Sequence, residues 1–245
     1  MSSVLYESKD HVATITLNRP GKRNAINEEV CRQLREAWLR LAQGDDRVAV
    51  LTGAGDTAFS GGADLADPPA DLASSLPGIG APLDKPVIAA ISGWCVGAAG
   101  LLVLMSDLAI ASETARFSFP EPRLGVFGGV MTGLVTRIPH KLAMEFLLLG
   151  EEMGAARAAE IGFVNRVAPA GQHLVMAQEW ARKIAGHAPM VIRAIKHFTT
   201  ESMARGPLER AYPEWTRIQA IMGSEDRAEG SKAFREKRKP RFTGR

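Results

Sequence analysis

Cysteine is nearly absent. Cys31 and Cys95 are the only two in 245 residues, with no metal-type spacing between them and too few for a disulfide framework. Neither a zinc site nor a disulfide-stapled fold is indicated, and a reducing, cytoplasmic setting is the expectation. The first residues, Met1 to Lys9, lack a basic-then-apolar pattern and carry Glu7 early, which argues against a secretory signal. Net charge is also small. Thirty Lys and Arg against 27 Asp and Glu leave +3, too little for a general nucleic-acid surface. The excess is local: Lys232, Arg235, Lys237, Arg238, Lys239, Arg241 and Arg245 crowd the C-terminus, as a solvated helix face or tail, or as a contact for an anion such as phosphate. No P-loop, dinucleotide fingerprint or metal motif occurs, so no tightly held cofactor and no metal are expected, and no repeat period indicates a solenoid.

One long uncharged run is present, from Val87 to Met105, close to the roughly 20 residues that cross a bilayer. Gly93, Gly97 and Gly100, with Ser92 and Trp94, divide it. A buried strand, a tight turn and a buried helix therefore fit better than one span, and no membrane partner is expected.

Hydrophobic residues at 46% and charged residues at 23% are the balance of a globular protein with a conventional core. Val12–Leu17 alternates as a strand and ends at Asn18-Arg19-Pro20-Gly21. A helix should follow, with Asn27 as N-cap, Val30, Leu34, Trp38 and Leu41 on its apolar face and Gly44 as its stop. Further strands are expected at Arg47–Thr52, Val87–Ile91, Leu108–Ile110 and Arg116–Phe119, with a helix from about Gly97 and a loop or broken helix over Asp67–Pro82. From Lys141 the pattern turns helical, with Val164–Val167 as the last strand. Ala177, Trp180, Ala181 and Ile184 mark one amphipathic face, and Val191, Ile192, Ile195 and Phe198 another. Strands alternating with helices give an α/β class, with a core over residues 1–166 and a helical region over 167–245.

Three segments have the makings of chemistry. Gly61-Gly62-Ala63-Asp64 follows a strand, and its glycines permit sharp turning and close approach of a ligand to main-chain N–H groups; an ordinary loop has the same composition. Small residues from Ser92 to Gly100 sit at a strand-to-helix junction, where the first N–H groups of the helix are free to meet a developing negative charge; close helix packing would also select them. In Phe119-Pro120-Glu121-Pro122, two prolines fix a carboxylate on a stiff turn, where partial burial would raise its pKa toward a general-base range; an exposed Glu in an ordinary turn is the commoner occurrence.

Taken in order, these segments resemble the enoyl-CoA hydratase/isomerase (crotonase) superfamily. The matching strings run from Asn18-Arg19-Pro20 and Arg23–Asn27 through Val50–Gly55, Phe59–Leu65, Lys85–Ala90, Ser106–Ala111 and Pro120-Glu121 to Ile161–Val167, Ser224–Asp226 and Ala233–Pro240. The resemblance implies an α/β fold of repeated ββα units with a C-terminal helical region used in trimer formation, as a homotrimer or hexamer. It implies an acyl-CoA substrate, with coenzyme A entering only as part of that substrate. It places the thioester oxygen between the N–H groups of Ala63 and Ala98, the CoA contacts on Lys22, Arg23, Ala25, Asp64, Leu65, Phe234 and Lys237, and the acyl pocket near Trp94, Leu101 and Phe127.

The departures bear on the reaction. A hydratase of this family carries two glutamates; the second is present as Glu121, whereas the first falls on Leu101. Ala98 stands where glycine is common, and the string from Val126 to Val130 departs from the usual Pro-Gly-rich one. A double-bond shift needs a single base to move one proton between carbons, so isomerisation or other single-base transfer by Glu121 is favoured over hydration. A non-catalytic acyl-CoA-binding protein and a hydrolase on the same scaffold are the alternatives.

Overall fold

The computed structural model describes residues 2–125 and 130–245. Strands β1 (Val4–Lys9) and β2 (Val12–Leu17) form an antiparallel hairpin that turns through Asp10 and His11, both at positive φ. Helix α1 (Glu28–Gln43) follows, then β3 (Val48–Gly53), β4 (Ala58–Ser60), β5 (Val87–Ile91), β6 (Trp94–Val96), α2 (Ala98–Leu104), β7 (Leu108–Ser112), β8 (Arg116–Ser118) and α3 (Glu121–Leu124). A 3-10 segment over Val130–Thr136 leads into α4 (His140–Leu149), β9 (Glu152–Gly154), α5 (Ala155–Glu160) and β10 (Arg166–Ala168). Four helices end the chain: α6 (His173–Ala185), α7 (Pro189–Ser202), α8 (Pro207–Met222) and α9 (Glu225–Arg235).

The described strands form two sheets, a larger one in the order β1-β2-β3-β5-β7-β10 and a smaller one in the order β4-β6-β8-β9. Successive turns of the chain add one strand to each: β3 then β4, β5 then β6, β7 then β8. This is the expected α/β fold of repeated ββα units. Side chains on a strand alternate between faces, and the two faces of the larger sheet bury different clusters. Ala49, Leu51, Ala89 and Ile91 meet Leu34, Trp38 and Leu41 of α1 on one face. Val48, Val50, Ile88, Ala90 and Ile110 meet Ala177, Ala181 and Ala185 of α6 on the other. Each fully buried Leu or Ile here is worth about 1.5–3 kcal/mol.

Helix α1 forms as its sequence predicts. The Asn27 side chain accepts the Val30 N–H at 3.1 Å, and the Gly44 N–H closes the last turn on the Arg40 carbonyl. Lys85, almost fully buried, then donates to the carbonyls of Leu41 and Gly44 at 2.7 Å each, satisfying the helix end.

Several expectations need correction. β1 is an additional edge strand, without an alternating apolar pattern to announce it, since only its Val4 is buried. The run from Val87 to Met105 contains a second strand, β6, between the turn and the helix, and β9 interrupts the helical region after Lys141. The last strand starts at Arg166 and not Val164, because the Val164 N–H closes a turn on Ala158 while Asn165 exchanges hydrogen bonds with Ala109 to open the ladder. Among the described residues no helix is long and apolar enough to cross a membrane.

Helix α7 is oriented unusually. None of its residues is buried. It meets the body through half-buried Ile192 and Lys196 and through two ion pairs, Arg193 to Asp84 at 2.7 Å and Lys196 to Asp107 at 2.8 Å, while Met190, Val191, Ile195 and Phe198 stand exposed.

Candidate active site

The smaller sheet assembles the site by register. β6 runs parallel to both β4 and β8, with Ser60 opposite Cys95 and Val96 opposite Ser118. Three strand ends therefore lie side by side and point the same way. Gly61-Gly62-Ala63 leaves the first, Gly97-Ala98 the second and Phe119-Pro120-Glu121 the third. The carboxyl ends of parallel strands are where α/β folds commonly receive ligands.

The first two turns touch. Gly62 has φ +88°, and a β-carbon built on it would stand 2.5 Å from the Val96 carbonyl oxygen and 3.5 Å from the Ala98 nitrogen. Only glycine permits both that backbone angle and that approach. Ala63 makes a single parallel bridge with Ile26, in which Gly62 O accepts the Ile26 N–H and Asp64 N–H donates to Ile26 O, each at 2.8 Å. Successive N–H groups of an extended segment point to opposite sides, so the Ala63 N–H is turned away from Ile26. The Gly97 N–H extends the β6–β8 ladder by donating to Ser118 O at 2.9 Å, and Ala98 opens α2. Neither the Ala63 nor the Ala98 N–H has a hydrogen-bond partner among the described residues.

The third end supplies the carboxylate. Gly97 has φ +51° and ψ −115°, and a β-carbon there would stand 2.6 Å from Glu121 Oε1. Glu121 Oε2 is buried and has no hydrogen-bond partner among the described residues. Burial pushes the Glu121 carboxyl above the ordinary carboxylate range, partly opposed by a backbone hydrogen bond. Leu101, one turn into α2 from Ala98, is 2% exposed and packs in the larger core cluster, which leaves that side of the helix apolar.

The chain as a whole matches a known family. A family model described as enoyl-CoA hydratase/isomerase matches residues 7–75 and 80–245. The chain belongs to the enoyl-CoA hydratase/isomerase family. It is 36% identical over 254 residues to an (E)-benzylidenesuccinyl-CoA hydratase of Thauera aromatica, covering 98% of this chain and 99% of the relative. It is 34% identical to a 2,3-dehydroadipyl-CoA hydratase of Escherichia coli K12 over the full length of both. Among solved structures, an enoyl-CoA hydratase from Mycobacterium tuberculosis H37Rv superposes with a TM-score of 0.77 at 34% identity, each chain fully covered. The chain is thus an acyl-CoA enzyme of this family, with the crotonase fold.

The remaining residues expected at the site fall in three places. Lys22 and Arg23 are exposed and form no ion pair among the described residues, Ala25 lies beside them, and Leu65 is 81% exposed for a leucine. The Arg23 carbonyl accepts the Gly61 N–H at 2.8 Å, so this loop adjoins the Ala63 turn. Trp94 is half-buried on β6, two residues before Val96 and on the same side. Phe127 lies outside the described residues. Phe234 lies on α9 and Lys237 just after it; α9 packs on α8, and Phe234 is 86% exposed. The C-terminal cations are partly structural, since Arg238 pairs with Glu229 at 2.6 Å and the last residues fold back on Asp226.

Two residues of the site carry no role from sequence alone. Asn24 is 1% exposed at positive φ; it accepts the Arg19 N–H and donates to the carbonyls of Ala54 and Ala58. Arg19 bonds Asp64 at 3.0 Å and the Ala25 carbonyl at 2.6 Å. The signal available was a polar pair flanking Pro20-Gly21, which marks a turn without naming its partners.

Proposed function

We propose that the protein acts on an enoyl-CoA thioester, holding the thioester oxygen on the N–H groups of Ala63 and Ala98 and moving a proton with Glu121. The meeting of three parallel strand ends carries this reading: two N–H groups on touching turns, without a partner among the described residues, and one half-buried carboxylate against Gly97. As the enolate forms, charge moves onto the thioester oxygen, and each pre-positioned donor is worth roughly 3 kcal/mol there. Glu121, with its affinity for protons raised by burial, removes one from carbon and returns it to another position of the dienolate. Lys22 and Arg23 receive the CoA phosphates, and Asp64-Leu65 lies toward the adenine.

Leu101 favours a double-bond shift, because a second carboxylate to activate water is missing from the first turn of α2. Hydration is the second reading, and the names of the relatives favour it. The two separate by product. The purified protein is given a 3-enoyl-CoA and a 2-enoyl-CoA in isotopically labelled water. Formation of the conjugated thioester without uptake of labelled oxygen marks isomerisation, and a labelled hydroxyacyl product marks hydration. Glu121→Gln should suppress either one; full activity in that variant removes Glu121 from the mechanism. Tight acyl-CoA binding without turnover in the unaltered protein would make it a binding protein.

The exposed apolar side of α7 supports a homotrimer, or a hexamer of two trimers, in which a second copy covers Met190, Val191, Ile195 and Phe198.

A further inference from the structure

The Lys22-Arg23 loop and the Ala63 turn are separate in sequence, joined in space by backbone hydrogen bonds, and bridged in addition by one guanidinium. Arg19 Nη1 donates to Asp64 Oδ2 at 3.0 Å and to the Ala25 carbonyl at 2.6 Å. Both side chains are largely withdrawn from solvent, 19% and 13% exposed. The Arg19 guanidinium holds the Asp64 carboxyl below its usual range, with the Ala66 N–H and the charge of Lys22 adding to the effect. Asn24 anchors the other end of the loop, accepting the Arg19 N–H at 2.9 Å while fixed to the Ala54 and Ala58 carbonyls ahead of the glycine turn.

Asp64 is the residue after Ala63. The Ala63 N–H belongs to the Gly62–Ala63 peptide, whose carbonyl accepts the Ile26 N–H while the Asp64 N–H donates to Ile26 O, so the bridge to Ile26 sets its direction; Arg19 braces that bridge by tying the Asp64 side chain to the carbonyl of Ala25, the residue before Ile26. An oxyanion donor works only if its N–H is aimed before charge develops. We propose that Arg19 is a positioning residue: through its ion pair with Asp64 it aims the Ala63 N–H at the thioester oxygen. The proposal rests on the reading of Ala63 as an oxyanion donor.

An ordinary structural brace, or a direct contact with CoA, would use the same residue differently, and a truncated substrate separates the cases. Arg19→Met, Arg19→Lys and Asp64→Asn are compared with the unaltered protein on an enoyl-CoA and on the matching enoyl N-acetylcysteamine thioester, which lacks the nucleotide. The carbonyl stretch of a bound, isotope-labelled, unreactive acyl-CoA is recorded by infrared difference. Arg19→Met should lower kcat on both thioesters by a similar factor, roughly ten- to a hundred-fold for a donor displaced by a fraction of an ångström to 1 Å. KM for the CoA thioester should change little, the carbonyl shift should shrink, and Arg19→Lys should recover part of both losses. A loss confined to the CoA thioester and seen in KM would make Arg19 a nucleotide contact and overturn the proposal, as would unchanged kcat in a folded variant. If Arg19→Met does not fold, Asp64→Asn, nearly isosteric, decides by the same criteria. An unaltered protein that turns over neither thioester fails the active-site reading itself, and that result precedes any substitution.

Discussion

Glu121 and Gly97 are in direct apposition: the carboxylate Oε1 lies 2.6 Å from the point where residue 97 would place a β-carbon. The glycine is required twice, once by that approach and once by its φ of +51°. A side chain at this position would displace the carboxylate and strain the turn that carries Ala98.

Gly97→Ala should therefore remove activity out of proportion to its effect on folding. The strained backbone costs about 1–3 kcal/mol. Displacing the carboxylate and the Ala98 N–H together should lower kcat/KM by roughly a hundred-fold or more. Steady-state kinetics beside urea unfolding would check it, and a variant with near-normal kcat/KM would show that the apposition is irrelevant to turnover.

Glu121 links activity to stability through pH. Burial raises its folded pKa above the unfolded value, so the folded state favours the protonated form. This contribution to stability is complete below the unfolded pKa and is lost as pH rises through the folded pKa. At neutral pH the ionised carboxylate is a liability to the fold. Glu121→Gln should accordingly raise Tm at neutral pH, with the gain shrinking toward acid, while activity falls. In the unaltered protein kcat/KM should rise with pH through an apparent pKa above the ordinary carboxylate range. A Glu121→Gln protein less stable at neutral pH than the original would contradict the assigned environment.

Leu101→Glu tests the missing carboxylate. Leu101 is 2% exposed in the core cluster, so an acid there should cost several kcal/mol in urea unfolding. Where the variant folds, hydration should rise relative to the double-bond shift, measured as the ratio of hydroxyacyl to conjugated product. An unchanged ratio would show that position 101 does not face the reacting carbons.

Asn24→Ala should cost about 2–4 kcal/mol. It strips the partner from two carbonyls, Ala54 and Ala58, and places alanine at φ +54°. Chemical unfolding would read this directly, and a loss below about 1 kcal/mol would show that water replaces the side chain.

The face of α7 makes a prediction about assembly. Ile195→Glu with Phe198→Glu should shift the protein to a smaller species in light scattering behind size exclusion, since charge on both would disfavour burial against a second copy. A protein already monomeric before substitution removes the trimer.

Sequence by itself determined the elements whose signals are local. Asn27 and Gly44 cap α1, β2 alternates, the continuous apolar runs of β3 and β5 follow from burial on both faces of a sheet, and the run from Val87 to Met105 is broken by its glycines. It also marked two small-residue turns and a proline-fixed acid, Glu121, while the resemblance to the family was needed to single out Ala63 and Ala98 within those turns. Tertiary structure alone decided that these three meet, because the parallel register of β4, β6 and β8 is a relation between segments far apart in the chain, and no local propensity encodes it. The same holds for β6 and β9, too short to show a period, and for Arg19 with Asp64, an ion pair between residues 45 positions apart. A side chain's residue type limits its chemistry, and the fold chooses its partner.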